Sequence, residues 1–132
     1  MSRFFKISLL FLILVSFQSC SQEKDKIIGI WNVKTDYYEG TYEIVSSENE
    51  FHGKIHSYKD DKNTYKGKDK KEDYFLVDAT FKDGKYIGGR MYSFDQKYYN
   101  VIITMINNNQ LEVQMTVDGE PYKEIWNRTS LK

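Results

Sequence analysis

The chain has 132 residues, of which 40% are hydrophobic and 16% aromatic, and its 19 Lys and Arg balance 19 Asp and Glu. This length allows one domain or two very small ones. The zero net charge argues against a nucleic-acid-binding protein, which usually carries an excess of basic residues. The single cysteine, Cys20, excludes an internal disulfide framework and a cysteine-based zinc site.

Residues 1–19 have the pattern of a secretory signal peptide. Arg3 and Lys6 precede an apolar run at 7–17, which at about 1.5 Å per residue cannot cross about 30 Å of hydrocarbon. A basic start, a short apolar run and small residues at its end are typical of such a signal. The alternative is a buried core helix.

The pair Ser19-Cys20 closes this run and resembles the lipobox of bacterial lipoproteins, in which the cysteine is lipidated and becomes the new N-terminus. The polar residues that follow resemble the export signal of Bacteroidota lipoproteins. The resemblance implies that acyl chains such as palmitate anchor Cys20 in the outer membrane, with the protein at its periplasmic face or at the cell surface. Residues 20–27 would form a polar tether. An ordinary cleaved signal is the alternative.

Beyond residue 27 apolar and polar side chains alternate with period two, most clearly at Leu111, Val113, Met115 and Val117. This alternation predicts eight antiparallel strands, at 28–38, 41–48, 51–58, 74–81, 85–93, 98–106, 111–118 and 121–128. Turn-forming residues such as those of Asp83-Gly84 separate them. Closure into a barrel removes unpaired strand edges. We therefore predict one all-β domain at 28–130, an eight-stranded up-and-down barrel. Its interior is either filled by side chains or holds one small ligand.

One predicted connection, residues 59–73, is unlike the hairpin turns because it is long and highly charged. It contains six Lys, five acidic residues and one aromatic residue, Tyr65. Such a segment lacks the apolar side chains needed to bury itself. We interpret it as a solvated, mobile loop, either a plain insertion or a lid or partner-binding arm.

The two ends of the predicted barrel carry a matching pair of motifs. Gly29-Ile30-Trp31 opens the first strand, and Trp126-Asn127-Arg128 ends the last. The first and last strands of a closed barrel are neighbours, so an Arg can lie over the indole of the other strand. The arrangement resembles lipocalin-type (calycin) barrels. It implies that Gly29, Trp31, Trp126 and Arg128 close the barrel rather than bind a ligand.

Further motifs extend the resemblance over about residues 28–130. In order they are Gly29-Ile30-Trp31, Gly53-Lys54-Ile55, Gly88-Gly89-Arg90-Met91-Tyr92, Lys97-Tyr98-Tyr99 and Trp126-Asn127-Arg128. Together they resemble a family of small secreted bacterial proteins of unknown function, which implies a lipocalin-like barrel and no assigned reaction. The family's loop with Pro and Gly is replaced here by residues 93–96.

Four residues around that loop, Arg90, Tyr92, Tyr98 and Tyr99, are the candidate ligand-binding cluster. Tyrosine offers a flat apolar ring with a polar tip, and arginine offers a planar fork for a carboxylate or phosphate. Both suit a small ligand at the rim of a barrel. The alternative is structural, with the tyrosines capping the core beside a bend at the neighbouring glycines.

Other chemistry has little support in the sequence. His52 and His56, the only histidines, share a strand face about 13 Å apart, so they cannot ligate one metal ion. Asp78 and Glu124 could form a catalytic pair only if both faced inward, and the pattern predicts that Asp78 points outward. No nucleophile or phosphate-loop motif occurs. We expect no metal, no cofactor and no catalysis.

The predicted function is therefore non-catalytic binding of a small apolar or amphipathic molecule by a lipid-anchored envelope protein. A protein-interaction module, such as an envelope scaffold or an inhibitor of an extracellular enzyme, is the first alternative, and an enzyme is the second. A cavity lined by polar and aromatic groups favours ligand binding. A filled barrel with an apolar outer patch favours protein interaction.

Overall fold

A computed structural model describes residues 23–94 and 96–131 of the chain. The predicted signal peptide and Cys20 lie outside these residues. The strands are β1 (Gly29–Lys34), β2 (Tyr38–Ser47), β3 (Glu50–Asp60), β4 (Thr64–Lys66), β5 (Tyr74–Lys82), β6 (Lys85–Tyr92), β7 (Tyr98–Asn107), β8 (Gln110–Val117) and β9 (Glu120–Thr129). A 3-10 helix, Lys71–Asp73, precedes β5. Within the described residues no helix is long and apolar enough to span a membrane.

Eight of these strands close into one antiparallel barrel. Each pairs with the next along the chain, except that β3 pairs with β5 across the charged connection, and β9 returns to pair with β1. The prediction of an all-β, eight-stranded, up-and-down barrel is confirmed. The short β4 pairs with the outer part of β3 and lies outside the closed ring.

Tight turns join most strands, because the residues between them adopt the left-handed backbone conformation that such hairpins require. Asp83 and Gly84 have φ values of 53° and 80°, and Asp118 and Gly119 have 51° and 80°. The first hairpin differs from the sequence prediction. Its turn lies at 35–37, where the Thr35 hydroxyl oxygen accepts hydrogen bonds from two following backbone amides, both 3.1 Å long.

Inward-facing side chains fill one end of the barrel, which we call the closed end. A turn at 23–27 packs against it, and Ile27 is fully buried there. The Tyr86 hydroxyl donates to the carbonyl of Lys24 at 2.6 Å, and the Trp31 indole N–H donates to the carbonyl of Ile27 at 2.9 Å. Part of the segment predicted to be a polar tether therefore covers the barrel core.

The charged connection has more structure than its composition predicts. Besides β4 and the 3-10 helix it contains Asp73, whose residue surface is only 1% exposed. The Gly67 amide donates to the carbonyl of His56 at 2.7 Å, which fastens the segment to β3. We call residues 61–73 the strap. It lies beside the other end of the barrel, which we call the open end.

Candidate ligand-binding site

The open end contains a cavity of about 430 Å³. Small-molecule sites typically occupy about 300–1,000 Å³. The lining is dominated by aromatic and aliphatic side chains from the barrel and the strap: Tyr38, Tyr42, Ile55, Tyr58, Tyr65, Lys68, Glu72, Tyr74, Phe75, Met91, Tyr92, Ser93, Phe94, Tyr99, Met115, Glu124 and Trp126. The cavity is therefore large enough for one small organic molecule.

Three buried rings form the inner wall of this cavity. The centroid of the Tyr42 ring lies 4.5 Å from that of Phe75 and 4.9 Å from that of Trp126, and all three rings are tilted. Gly40 makes room for this packing, because a Cβ at that position would lie 2.4 Å from the Tyr42 hydroxyl oxygen. Burial raises the pKa of Tyr42, so its phenol stays neutral.

One carboxyl group stands among these rings. Glu124 is only 8% exposed, and its Oε1 accepts a hydrogen bond of 2.8 Å from the Trp126 indole N–H. Its Oε2 is buried and has no hydrogen-bond partner among the described residues. Burial raises the pKa of the Glu124 carboxyl, and the hydrogen bond from Trp126 offsets this only in part. An unpartnered buried carboxyl oxygen is costly and is available to a ligand.

The mouth of the cavity is lined by aromatic rings from the barrel and the strap. The Tyr58 ring stacks on Tyr38 at 5.7 Å and lies 5.0 Å from Phe94, which in turn lies 6.2 Å from Tyr65 of the strap. Lys68 lies over the Tyr65 ring at 5.9 Å. The strap thus completes one side of the mouth, as a lid would, rather than projecting into solvent.

Asp73 holds the strap in this position. Its carboxylate accepts hydrogen bonds from the Tyr65 hydroxyl at 2.5 Å, the Lys68 amide at 2.7 Å and the Lys70 amide at 3.2 Å. Although burial raises the pKa of Asp73, these hydrogen bonds together lower it below its usual value. The carboxylate therefore stays ionised at neutral pH and keeps Tyr65 at the mouth.

The four residues of the predicted cluster divide between two surfaces. Tyr92 and Tyr99 line the cavity near its mouth. Arg90 and Tyr98 lie on the outside of the barrel, where Arg90 is 5.8 Å from the Tyr98 ring and 2.6 Å from an oxygen of Asp78. This ion pair raises the pKa of Arg90. Because they lie on the outside of the barrel, Arg90 and Tyr98 do not line the cavity.

The two histidines also lie on the outer face. His56 Nε2 is 2.8 Å from a carboxylate oxygen of Glu43, and His52 Nδ1 accepts a hydrogen bond of 3.2 Å from the Asp78 amide. Ligand atoms of Glu50, His52 and Asp78 lie within 4.8 Å of one another. The Asp78 carboxylate is already engaged in an ion pair with Arg90.

Three of the four predicted closure residues, Gly29, Trp31 and Arg128, meet at the closed end, away from the cavity mouth. The fourth, Trp126, instead forms part of the cavity wall. Arg128 lies over the Trp31 ring at 4.3 Å from its centroid, and the two residues are paired between β1 and β9. The guanidinium also donates to the carbonyls of Lys26, Ile28 and Asn108, at 2.5, 3.1 and 2.7 Å. Arg128 therefore ties the N-terminal turn and the β7–β8 turn to the barrel seam.

Comparison with known proteins identifies the fold. No protein-family model matches the chain, and no curated protein matches it. A solved structure from the human pathogen Helicobacter pylori, described as belonging to the lipocalin family, matches with a TM-score of 0.62. The sequence identity is 20%, over 79% of this chain and 83% of that chain. The barrel is lipocalin-like. The narrower resemblance to small secreted proteins stays a prediction.

Proposed function

We propose that the protein binds one small apolar or amphipathic molecule in the open end of its barrel, without catalysing a reaction. The observation that carries this proposal is the cavity of about 430 Å³, walled by aromatic rings and containing the buried Oε2 of Glu124. A barrel filled with side chains would instead favour the protein-interaction alternative. Eight-stranded barrels of the lipocalin type hold single small ligands in this position, which supports the proposal.

The proposal predicts that filling the cavity abolishes binding. Ile55 lines the cavity, whereas Ile102 lies on the outer face of β7 and is 40% exposed. The larger indole would occupy space in the cavity, so we expect Ile55→Trp to weaken binding of the neutral fluorophore N-phenyl-1-naphthylamine about 10-fold or more, which corresponds to about 1.4 kcal/mol or more. Fluorescence titration measures this change. Ile102→Trp, the same substitution outside the barrel, should bind as the wild type does.

Two results would oppose this reading. The fluorophore could fail to bind the wild-type protein, or Ile55→Trp and Ile102→Trp could weaken binding equally. Either result would favour the alternative, in which apolar surfaces outside the cavity bind a partner protein. Thermal unfolding of both variants provides the control that the barrel is intact.

We further propose that acyl chains on Cys20 anchor the protein in the outer membrane. The proposal rests on the sequence pattern around Cys20. The described chain starts with Glu23 at the closed end, and three residues span at most about 11 Å. An anchor at Cys20 would therefore hold the closed end beside the membrane and leave the cavity mouth facing away from it.

Labelled palmitate supplied to the cells should enter the wild-type protein. Cys20→Ala should abolish both the labelling and the association with membranes, because several acyl chains supply most of the binding free energy at about 0.8 kcal/mol per buried CH₂. Ser21→Ala, which keeps the cysteine, is the matched control and should be labelled normally. A wild-type protein that stays unlabelled and is recovered in the soluble fraction would exclude the anchor.

A further inference from the structure

Among the described residues, the inner part of the cavity has one carboxyl group and no amino or guanidinium group. Of the charged residues that line the cavity in the described part of the chain, Lys68 and Glu72 belong to the exposed strap and have opposite charges. Glu124 lies within the barrel and is 8% exposed. The head group of a bound molecule that enters the cavity therefore meets one carboxyl group and no buried cation among these residues.

The carboxyl group is held in a fixed orientation. Trp126 donates its indole N–H to Oε1 at 2.8 Å, which leaves Oε2 free to accept from another donor. The Trp126 ring packs against Tyr42 at 4.9 Å and Phe75 at 6.2 Å. A carboxylate beside several aromatic rings is an environment that attracts a positive charge from two directions, by ion pairing and by cation–π attraction.

We propose that the ligand of this barrel is an organic cation, an amphipathic ammonium compound whose charged nitrogen donates to Oε2 of Glu124 while its apolar body lies along the aromatic wall. This inference rests on the proposed ligand-binding function and names the chemical class that the cavity selects. An anionic head group, such as that of a fatty acid, would bring two carboxylates together. A neutral alcohol would satisfy Oε2 through a weaker, uncharged donor.

The protonation of Glu124 agrees with a cationic ligand. In the empty cavity burial raises the pKa of the carboxyl, which favours the neutral, protonated form, and a neutral carboxyl costs less to bury than a carboxylate. A neighbouring ammonium group favours the ionised form and lowers the pKa again. Binding of the cation and ionisation of Glu124 therefore support each other.

Three probes with the same ten-carbon chain test the inference: decylammonium, decanol and decanoate. Each displaces N-phenyl-1-naphthylamine from the purified protein in a competition titration. We expect decylammonium to bind about 10- to 100-fold more tightly than decanol, as a charge-assisted hydrogen bond predicts, and decanoate to bind most weakly. Glu124→Gln should remove the preference for ammonium, so that decylammonium and decanol bind with similar affinities. Thermal unfolding of the variant shows that it is folded.

Glu112→Gln is the matched control, because it removes a carboxylate from the outer face of the barrel, where Glu112 lies 3.6 Å from Lys123, and it should keep the ammonium preference. The inference is overturned if decanoate binds as tightly as decylammonium, or if the preference persists in Glu124→Gln. If decanol binds and ammonium is not preferred, ligand binding stands and the cationic class fails. If none of the probes, including the fluorophore, binds the wild-type protein, the proposed function itself fails.

Discussion

Replacing Trp31 by alanine is expected to lower the free energy of unfolding by about 3–5 kcal/mol, because its fully buried indole packs at the closed end of the barrel. Arg128→Ala should cost less, since Arg128 is partly exposed. The Arg128→Ala variant loses a cation–π contact with Trp31, worth about 0.5–2 kcal/mol, and three hydrogen bonds to backbone carbonyls. Urea denaturation of each variant measures these losses.

The double variant provides the sharper test. Because each substitution removes the same contact between Trp31 and Arg128, the combined loss should be smaller than the sum of the two single losses. Arg90→Ala is the matched control, since it removes an arginine whose ion pair with Asp78 is largely exposed and should cost about 0–1 kcal/mol. Strictly additive losses for Trp31 and Arg128 would contradict the energetic coupling at the seam.

Glu124→Gln is expected to stabilise the empty protein at pH 8 by about 1–3 kcal/mol, because it replaces a buried carboxylate by a neutral amide of similar shape, and burying a neutral amide costs less than burying a charge. The sign depends on pH. The folded state raises the pKa of Glu124 above its ordinary value of 4.5, so folding favours the protonated form. The contribution of the wild-type carboxyl is therefore most favourable below about pH 4.5 and is lost as the pH rises through its folded-state pKa.

The difference in unfolding free energy between Glu124→Gln and the wild type should accordingly be small at pH 4 and grow towards pH 8. Other carboxyl groups titrate in both proteins and cancel in the difference. Glu112→Gln is the control, because Glu112 lies on the outer face 3.6 Å from Lys123 and its removal should bring no gain at high pH. A difference that does not change with pH would show that Glu124 titrates as it does in the unfolded chain.

Much of the barrel could be predicted because each strand buries one face and exposes the other. Apolar and polar residues therefore alternate along the strand, and this pattern is visible in the sequence. On β8 the predicted inward residues Leu111, Val113 and Met115 are all buried. Turn residues with left-handed preferences marked the hairpins at Asp83-Gly84 and Asp118-Gly119. Local signals of this kind need no knowledge of the rest of the chain.

The predicted position of the first hairpin turn, between strands at 28–38 and 41–48, is wrong. Gly40 follows Glu39 in a pattern that favours a turn, but it lies within β2, where it gives space to the Tyr42 ring. The signal that marks the actual turn is Thr35, whose hydroxyl oxygen accepts hydrogen bonds from the backbone amides of residues 37 and 38. The position of the Tyr42 ring depends on its packing against Phe75 and Trp126, which the local sequence pattern does not show.

The position of Glu124 could have been inferred from its neighbour. Residues two apart on a strand share a face, and Trp126 belongs to the core, so Glu124 had to point inward as well. Ile125, which lies between them, hides this signal because here the apolar residue faces outward and is 41% exposed, whereas the acidic Glu124 faces inward. The residues that line the cavity around Glu124 come from β2, β3, the strap and the segment from β5 to β9, and no local pattern encodes this arrangement.

The orientation of Arg90 could not be predicted from the sequence. Its position near the end of β6 suggests a site at the rim of the barrel. The pairing of β6 with β7, however, is irregular near Gly88, which has a φ of 73°. Arg90 faces outward to Asp78 on β5, a partner twelve residues away in the chain. The ion pair depends on the register between two strands, which composition and alternation do not determine.

The most direct test of ligand binding uses the two tryptophans of the chain. The Trp126 indole N–H points to Glu124 inside the cavity, whereas that of Trp31 is bonded to Ile27 at the closed end. In a ¹⁵N-resolved NMR titration with decanol, the Trp126 indole signal should shift and saturate while the Trp31 signal stays in place. Two signals that remain unchanged, or that shift equally, would contradict a ligand site in the open end of the barrel.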